Sequence, residues 1–159
     1  MEFFTIGVYG SDEKEFFDKL SKNEIDTFCD IRQRRGVRGS KYSFVNSNYL
    51  QIKLKNMDIN YAHILSLAPT TEIREQQKKE DVNKNELKKD RQELGRIFKF
   101  EYEKKILNNF DFEYFIETLE NIGAKRIVLF CVEQTAKACH RSLVANKLQN
   151  DFNYKITHL

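Results

Sequence analysis

The chain has no tryptophan, a single proline and only three cysteines among its 159 residues. An odd cysteine count without disulfide-like spacing excludes a stapled scaffold and points to a reducing, cytoplasmic setting. No apolar run approaches the roughly 18 residues that cross a bilayer, and no basic-then-apolar leader opens the chain, so membrane and secreted classes are disfavoured. A bulk excess of one charge is also missing. A net charge of +3 on 27 basic and 24 acidic residues does not by itself announce a nucleic-acid binder, so local clustering has to carry any such case. No internal repeat and no Gly/Ser-rich linker divides the sequence. At this length it reads as one domain over residues 1–159, able to bury roughly two-thirds of its unfolded surface.

What is present is an alternation of short apolar runs and amphipathic stretches. Residues 3–10 read as a first strand, after which Ser11 or Asp12 can cap a helix that aligns Phe16, Phe17 and Leu20. Residues 26–32 form a second strand that ends in charge, Asp30-Ile31-Arg32. Ser47-Asn48 opens a helix through Leu50, Ile52 and Leu54, and residues 60–64 read as a third strand. A helix over 112–122, stopped by Gly123 as its C′ residue, leads to a strand at 126–132, a helix at 140–149 and a last strand at 154–158. Strands joined by helical crossovers predict an α/β fold: a three-layer domain with a mainly parallel sheet of about five strands and helices on both faces.

A long charged helical insertion interrupts this pattern at about 69–105. Nine acidic and eleven basic residues between 72 and 105 nearly balance, which predicts a solvated helical pair held by i,i+4 contacts. The alternative is a lid that carries Arg74, Gln77, Arg91 and Tyr102 toward a ligand.

Two clusters carry candidate chemistry. From Arg32 to Lys41 there are five cations and no acid, interleaved with Gly36 and Gly39. Arginine predominates, which suits planar, bidentate recognition of phosphate or carboxylate by Arg32, Arg35 and Arg38. Tyr42 and Phe44 follow and could stack on a base. Asp30, where the strand leaves the core, is a candidate general base or the partner of Arg32 or Arg141.

The second cluster is Cys131-Val132-Glu133 and Cys139-His140-Arg141-Ser142, between a strand and a helix. Ligands collect at the carboxyl ends of parallel strands, where the next helix presents unpaired N–H groups. A thiol in the first turn of such a helix is favoured as thiolate, which makes Cys139 a candidate nucleophile. His140 and Glu133 are candidate acids or bases and Arg141 a candidate anion clamp; Glu133 and Arg141 paired to each other is the structural alternative. Cys131 is either reactive or simply packed, and Cys29, beside Phe28 in mid-strand, is a core residue. His63 and His158 also end strands, so all three histidines fall on one edge of the sheet. The thiols and imidazoles could ligate a metal, but C-x7-C-H is not a standard zinc spacing and no C-x2-C pair occurs. No cofactor and no metal ligand is assigned, and metal stays the lesser alternative.

Taken together, Thr5-Ile6-Gly7, Asp30-Ile31-Arg32, Tyr61-Ala62-His63, Cys131-Val-Glu133, Cys139-His140-Arg141-Ser142-Leu143 and the terminal His158-Leu159 resemble the DUF488 family, over nearly the whole sequence. The resemblance implies a compact α/β domain with these polar residues gathered at one site. The family's usual Pro-x-Ser-Arg reads here Arg35-Gly36-Val37-Arg38, and its usual Leu-Gly after the third-strand histidine reads Leu67-Ala68-Pro69.

The leading functional expectation is an enzyme, a hydrolase or transferase, acting on a phosphorylated, nucleotide or nucleic-acid substrate at the Cys/His/Arg site. A non-catalytic nucleotide or nucleic-acid binding module is the alternative from a different class. A rhodanese-like sulfur transferase or cysteine phosphatase is a third reading. It lacks support at this turn, since neither Cys131 nor Cys139 opens a C-x5-R and Gln134–Ala138 contains no glycine for an anion loop.

Overall fold

The computed structural model describes residues 1–87 and 90–159. Five strands, β1 (Glu2–Ile6), β2 (Thr27–Asp30), β3 (Asn60–His63), β4 (Arg126–Phe130) and β5 (Ile156–His158), form one parallel sheet in the order β3-β2-β4-β1-β5. The α-helices among the described residues are α1 (Glu13–Lys22), α2 (Ser47–Lys55), α3 (Thr71–Asn83), α4 (Arg96–Lys105), α5 (Phe112–Asn121) and α6 (His140–Phe152). This is the three-layer α/β arrangement expected from the alternation of elements. No helix among the described residues is long and apolar enough to cross a membrane.

Side chains alternate across a strand, so the register assigns the faces. Phe28 pairs with Val128, and both Asp30 and Ile6 pair with Phe130. On that face Phe16 of α1 meets Phe28 and Phe130, with centroids 6.4 and 5.5 Å apart. On the other face Phe3 meets Phe115 of α5 at 6.5 Å, and α6 packs on β1, β4 and β5. The central strand is covered on both sides. Ile127 through Phe130 are fully buried, as a parallel strand between helical layers requires.

Local chemistry sets the helix ends. Asp12 and Glu15 form a reciprocal capping box: the Glu15 N–H donates to Asp12 Oδ1 at 2.8 Å, and the Asp12 N–H donates to Glu15 Oε2 at 3.1 Å. Gly123, at φ +74°, follows α5 in the left-handed conformation that a C′ residue adopts.

The strands are shorter than the apolar runs that announce them. β1 ends at Ile6 rather than at residue 10, because the N–H groups of Val8 and Tyr9 both turn to Val132 O, at 3.2 and 3.0 Å. β5 begins at Ile156 because the Tyr154 N–H is used to close α6 against Leu148 O.

Two expectations are corrected here. Phe44 is not a surface stacking platform. It is 5% exposed, packed against Phe16 and Phe17 at 5.8 and 6.3 Å, because burying an aromatic ring outweighs any pull from the polar loop around it. The insertion is also more than a solvated pair. Ile73 of α3, Leu94, and Phe98 and Tyr102 of α4 join the core, and α4 packs on both α3 and α6.

Candidate functional site

The strand order decides what meets at the carboxyl edge. β4 inserts between β2 and β1, and the chain leaves β4 toward the face opposite to that of α1. The carboxyl edge around the β4 terminus is the position where open α/β sheets hold ligands.

On the β2 side lie the sulfur and imidazole groups. Cys131 follows β4, Cys139 is the N-cap of α6, and His140 is its first residue. The short 3-10 turn Ala136–Ala138 folds the second thiol back toward the first. His140 Nδ1 stands 3.8 Å from Cys139 Sγ and 3.9 Å from Cys131 Sγ. Its Nε2 donates to Ile31 O at 3.0 Å, which leaves Nδ1 facing the two sulfurs. The Tyr102 ring lies 5.5 Å from the imidazole while its hydroxyl donates to Leu67 O at 2.5 Å. Tyr102 thus belongs to the wall of the site, fully buried.

This environment separates the thiols. Burial alone would push Cys139 up, but the neighbouring Cys131 thiol, the imidazole charge and Arg141 bring it well below its ordinary value. For His140 burial works downward, and the charge and hydrogen bond of Cys139, the Glu133 carboxylate and the bond to Ile31 O together outweigh it, so the imidazole is raised. Cys29, mid-strand, has no such neighbours. Burial and then Asp30 push it up to about 12, in keeping with a core residue.

Glu133 and Arg141 do not form the pair considered above. Arg141, 1% exposed, donates Nη1 to Glu133 O at 2.6 Å and Nη2 to Gln134 O at 2.9 Å, so it braces the main chain of the turn. The Glu133 carboxylate instead meets Cys131 Sγ at 3.4 Å and Arg91 Nη2 at 3.3 Å. Arg91 also donates to Asp81 Oδ2 at 2.9 Å and to Ala138 O. Gln77 donates to Asp81 Oδ1 at 2.7 Å and accepts from the Gly95 N–H at 2.8 Å. The insertion is therefore tied to the site through buried Arg91, alongside the Tyr102 ring and the Leu94 N–H, which donates to Lys137 O at 3.1 Å.

The end of β2 is a second hub. Arg32 grips Asp30 in a bidentate pair, Nε to Oδ1 at 2.8 Å and Nη2 to Oδ2 at 2.7 Å, with its guanidinium 4.6 Å over the Phe130 ring. Both groups are buried. The Tyr61 hydroxyl donates to Asp30 Oδ2 at 3.0 Å; burial and the Asp30 carboxylate push this phenol up to about 12 against the opposing pull of Arg35. His63 donates from Nε2 to Arg32 O at 2.8 Å. A hydrogen bond to a buried charged carboxylate contributes about 1.5–3 kcal/mol, so Tyr61→Phe should lower stability by about that amount. Urea unfolding of the two proteins would check it.

The remaining predicted residues are more dispersed. Arg35 and Arg38 are exposed on their loop, and among the described residues neither pairs with a carboxylate. Tyr42 is half-buried: its hydroxyl accepts from the Gly10 N–H at 3.1 Å, and its ring lies 5.2 Å from Tyr9. Arg74 donates to the Gln33 side chain. His158 shares the carboxyl edge but sits on β5, at the far end of the sheet from His63 on β3, with Nδ1 2.8 Å from Thr5 Oγ1. The three histidines do not converge.

On the β1 side the edge opens as a cleft of about 490 Å³ lined by Gly7, Tyr9, Gly10, Gln134 and Leu159 with residues of α1. The Glu133-Gln134 turn borders it, so this volume lies beside the sulfur cluster and not over it. Two residues that sequence reasoning quoted without a role gain one here: Gly7, whose Cβ position would fall 1.9 Å from Glu133 O, and Tyr61, the second side chain bonded to Asp30. Only the parallel register, Phe28 beside Tyr61 and Asp30 beside His63, shows that Tyr61 can reach.

No curated protein and no solved structure matches the chain. A family model described as Domain of unknown function DUF488 matches residues 12–148. That span runs from the α1 cap to the last buried leucine of α6, and it includes the Asp30-Arg32 hub and the whole Cys131 to Arg141 turn. With these residues inside the match, the chain belongs to the DUF488 family.

Proposed function

We propose that this protein is an enzyme acting on an anionic substrate, a phosphorylated compound, nucleotide or nucleic-acid strand, by hydrolysis or group transfer at the carboxyl edge of the sheet. The observation that carries this reading is a pair of unspent guanidinium donors beside the thiol–imidazole cluster. Arg32 Nη1 and Arg141 Nε are buried without an acceptor. A buried donor left unpaired costs about 1–3 kcal/mol, more when charged, and an anion arriving at the edge would supply the missing acceptor. The exposed cations of the 34–41 loop would raise the local concentration of such a substrate. Reacting groups would come from Cys131, Glu133, Cys139 and His140, in a reducing, cytoplasmic setting that keeps both sulfurs as thiols.

A second reading, a non-catalytic binder of nucleotides or nucleic acid, is favoured by one fact: Cys139 is 1% exposed whereas Arg35 and Arg38 are open to solvent. The same burial weighs against any mechanism, sulfur transfer and cysteine-phosphatase chemistry included, in which the Cys139 thiol itself attacks the substrate.

The discriminating experiment measures binding of phosphate, nucleotides and short single strands to wild type, Arg35→Ala and Arg38→Ala, then turnover of any ligand found. Removing an exposed arginine that meets a phosphate of a single strand should weaken binding and reduce the salt slope by about 0.7. Binding with turnover that is lost in Cys139→Ala supports the enzyme. Binding without turnover supports the binder, and no binding by the folded wild type removes both.

A further inference from the structure

We infer that Cys131, Cys139 and His140 hold a zinc-class divalent ion, with the Glu133 carboxylate beside it. The inference goes beyond the anionic-substrate reading and does not depend on it; an ion bound here would take both thiols and the imidazole out of the set of free reacting groups. Its first support is spacing. With zinc–sulfur bonds near 2.3 Å and zinc–nitrogen bonds near 2.0–2.1 Å, ligand atoms at the corners of a tetrahedron stand about 3.5–3.8 Å apart. The His140 Nδ1 distances to the two sulfurs are 3.8 and 3.9 Å, and Glu133 Oε2 is 3.4 Å from Cys131 Sγ. The Cys131, Cys139 and His140 ligand atoms all lie within 4.8 Å of one another.

The second support is the shell around them. A metal-bound imidazole usually donates its other N–H to a carbonyl or carboxylate, which fixes the ring. His140 does so through Nε2 to Ile31 O at 3.0 Å. The Glu133 carboxylate is held in turn by Arg91 Nη2 on its other oxygen, Oε1. The two thiolates would balance a divalent ion, and the adjoining Glu133 carboxylate is paired with Arg91, which it shares with Asp81. Thiolate and imidazole donors select zinc-class ions over magnesium or calcium, which prefer oxygen. All three ligand residues are buried, so an ion here would pin the start of α6 to the end of β4.

The test is metal content and cobalt spectroscopy on the full chain. The protein would be purified from zinc-supplemented cells, stripped with a chelator and reloaded with zinc or cobalt(II). Elemental analysis should find about one ion per chain. The cobalt form should show a thiolate-to-metal charge-transfer band and the strong visible absorption of a four-coordinate site. Cys29→Ser should keep both signals; Cys131→Ser and Cys139→Ser should each weaken binding by roughly tenfold or more. Far-UV circular dichroism would establish that the variants are folded. Chelator should lower the thermal midpoint of wild type and leave that of the Cys131→Ser/Cys139→Ser variant unchanged. A folded wild type that takes up no stoichiometric ion overturns the inference, as does undiminished binding in the double variant. If wild type binds phosphate or nucleotides but no metal, this inference fails alone. Metal uptake without anion binding leaves it standing and removes only the anionic-substrate reading.

Discussion

Arg91→Met is expected to destabilise the protein by about 3–5 kcal/mol, the range seen when one partner of a buried ion pair is removed. Arg91 is 7% exposed and serves three acceptors at once: Asp81 Oδ2, Glu133 Oε1 and Ala138 O. Methionine preserves much of the aliphatic volume, so the loss reports charge and hydrogen bonding more than an empty space. The two carboxylates it leaves behind sit in surroundings that solvate them poorly, and the Ala138 carbonyl loses its donor. A typical domain has only about 5–15 kcal/mol of stability in total, so urea unfolding should show a large drop in midpoint. The double variant Arg91→Met/Asp81→Asn should recover part of the loss, because it removes one of the orphaned charges. If the single variant unfolds like wild type, Arg91 does not hold the insertion to the site.

That arginine also marks where sequence reading reaches its limit. The α/β class was legible because apolar strands and amphipathic helices alternate with crossover-length spacing, and the ends of α1 and α5 were legible from Asp12, Glu15 and Gly123. The inner face of α3 was not, because two of its buried positions, Gln77 and Asp81, are polar. Hydrophobic periodicity cannot register a face that is satisfied by an arginine ten residues further on. The surrounding balance of charge reads as solvent-exposed until Arg91 is placed inside. Phe44 is the converse case. An apolar residue within a basic loop reads as exposed unless the ring cluster of Phe16 and Phe17 is already known to lie beneath it.

The candidate site was legible as a list of residues but not as an arrangement. Nothing along the chain states that β4 lies between β2 and β1, yet that order alone brings His140 to Ile31 O. The cysteine spacing looked unlike a metal site because it was counted along the sequence. A strand end, a 3-10 turn and a helix start fold those seven intervening residues into a few ångströms. The Glu133–Arg141 pair, one of the alternatives, is not formed for a related reason: Arg141 is near in sequence, but its two terminal nitrogens bond main-chain oxygens.

Gly7→Ala is expected to cost about 3 kcal/mol, the upper end of the usual range for inserting atoms into a packed interior. An added Cβ would stand 1.9 Å from Glu133 O, 2.9 Å from Glu133 C and 3.1 Å from Arg141 Nη2. The obstacle is main chain, and it is held from several sides. Glu133 O accepts from Arg141 Nη1, while the N–H groups of Val8 and Tyr9 both bind Val132 O one residue earlier. Relief therefore requires β1 to separate from the turn after β4, or that turn to give up Arg141. Gly36→Ala is the matched control, since its added Cβ would find only Asn46 Oδ1 at 3.8 Å, an ordinary contact. Thermal or urea unfolding should show Gly36→Ala near wild type and Gly7→Ala far below it. Equal midpoints would mean that the turn is not braced as described. Because the same turn carries Glu133 between Cys131 and Cys139, the damage should reach the sulfur cluster. Metal content or ligand binding in Gly7→Ala should fall even at temperatures where the variant remains folded, whereas a defect confined to the β1 side would leave both intact.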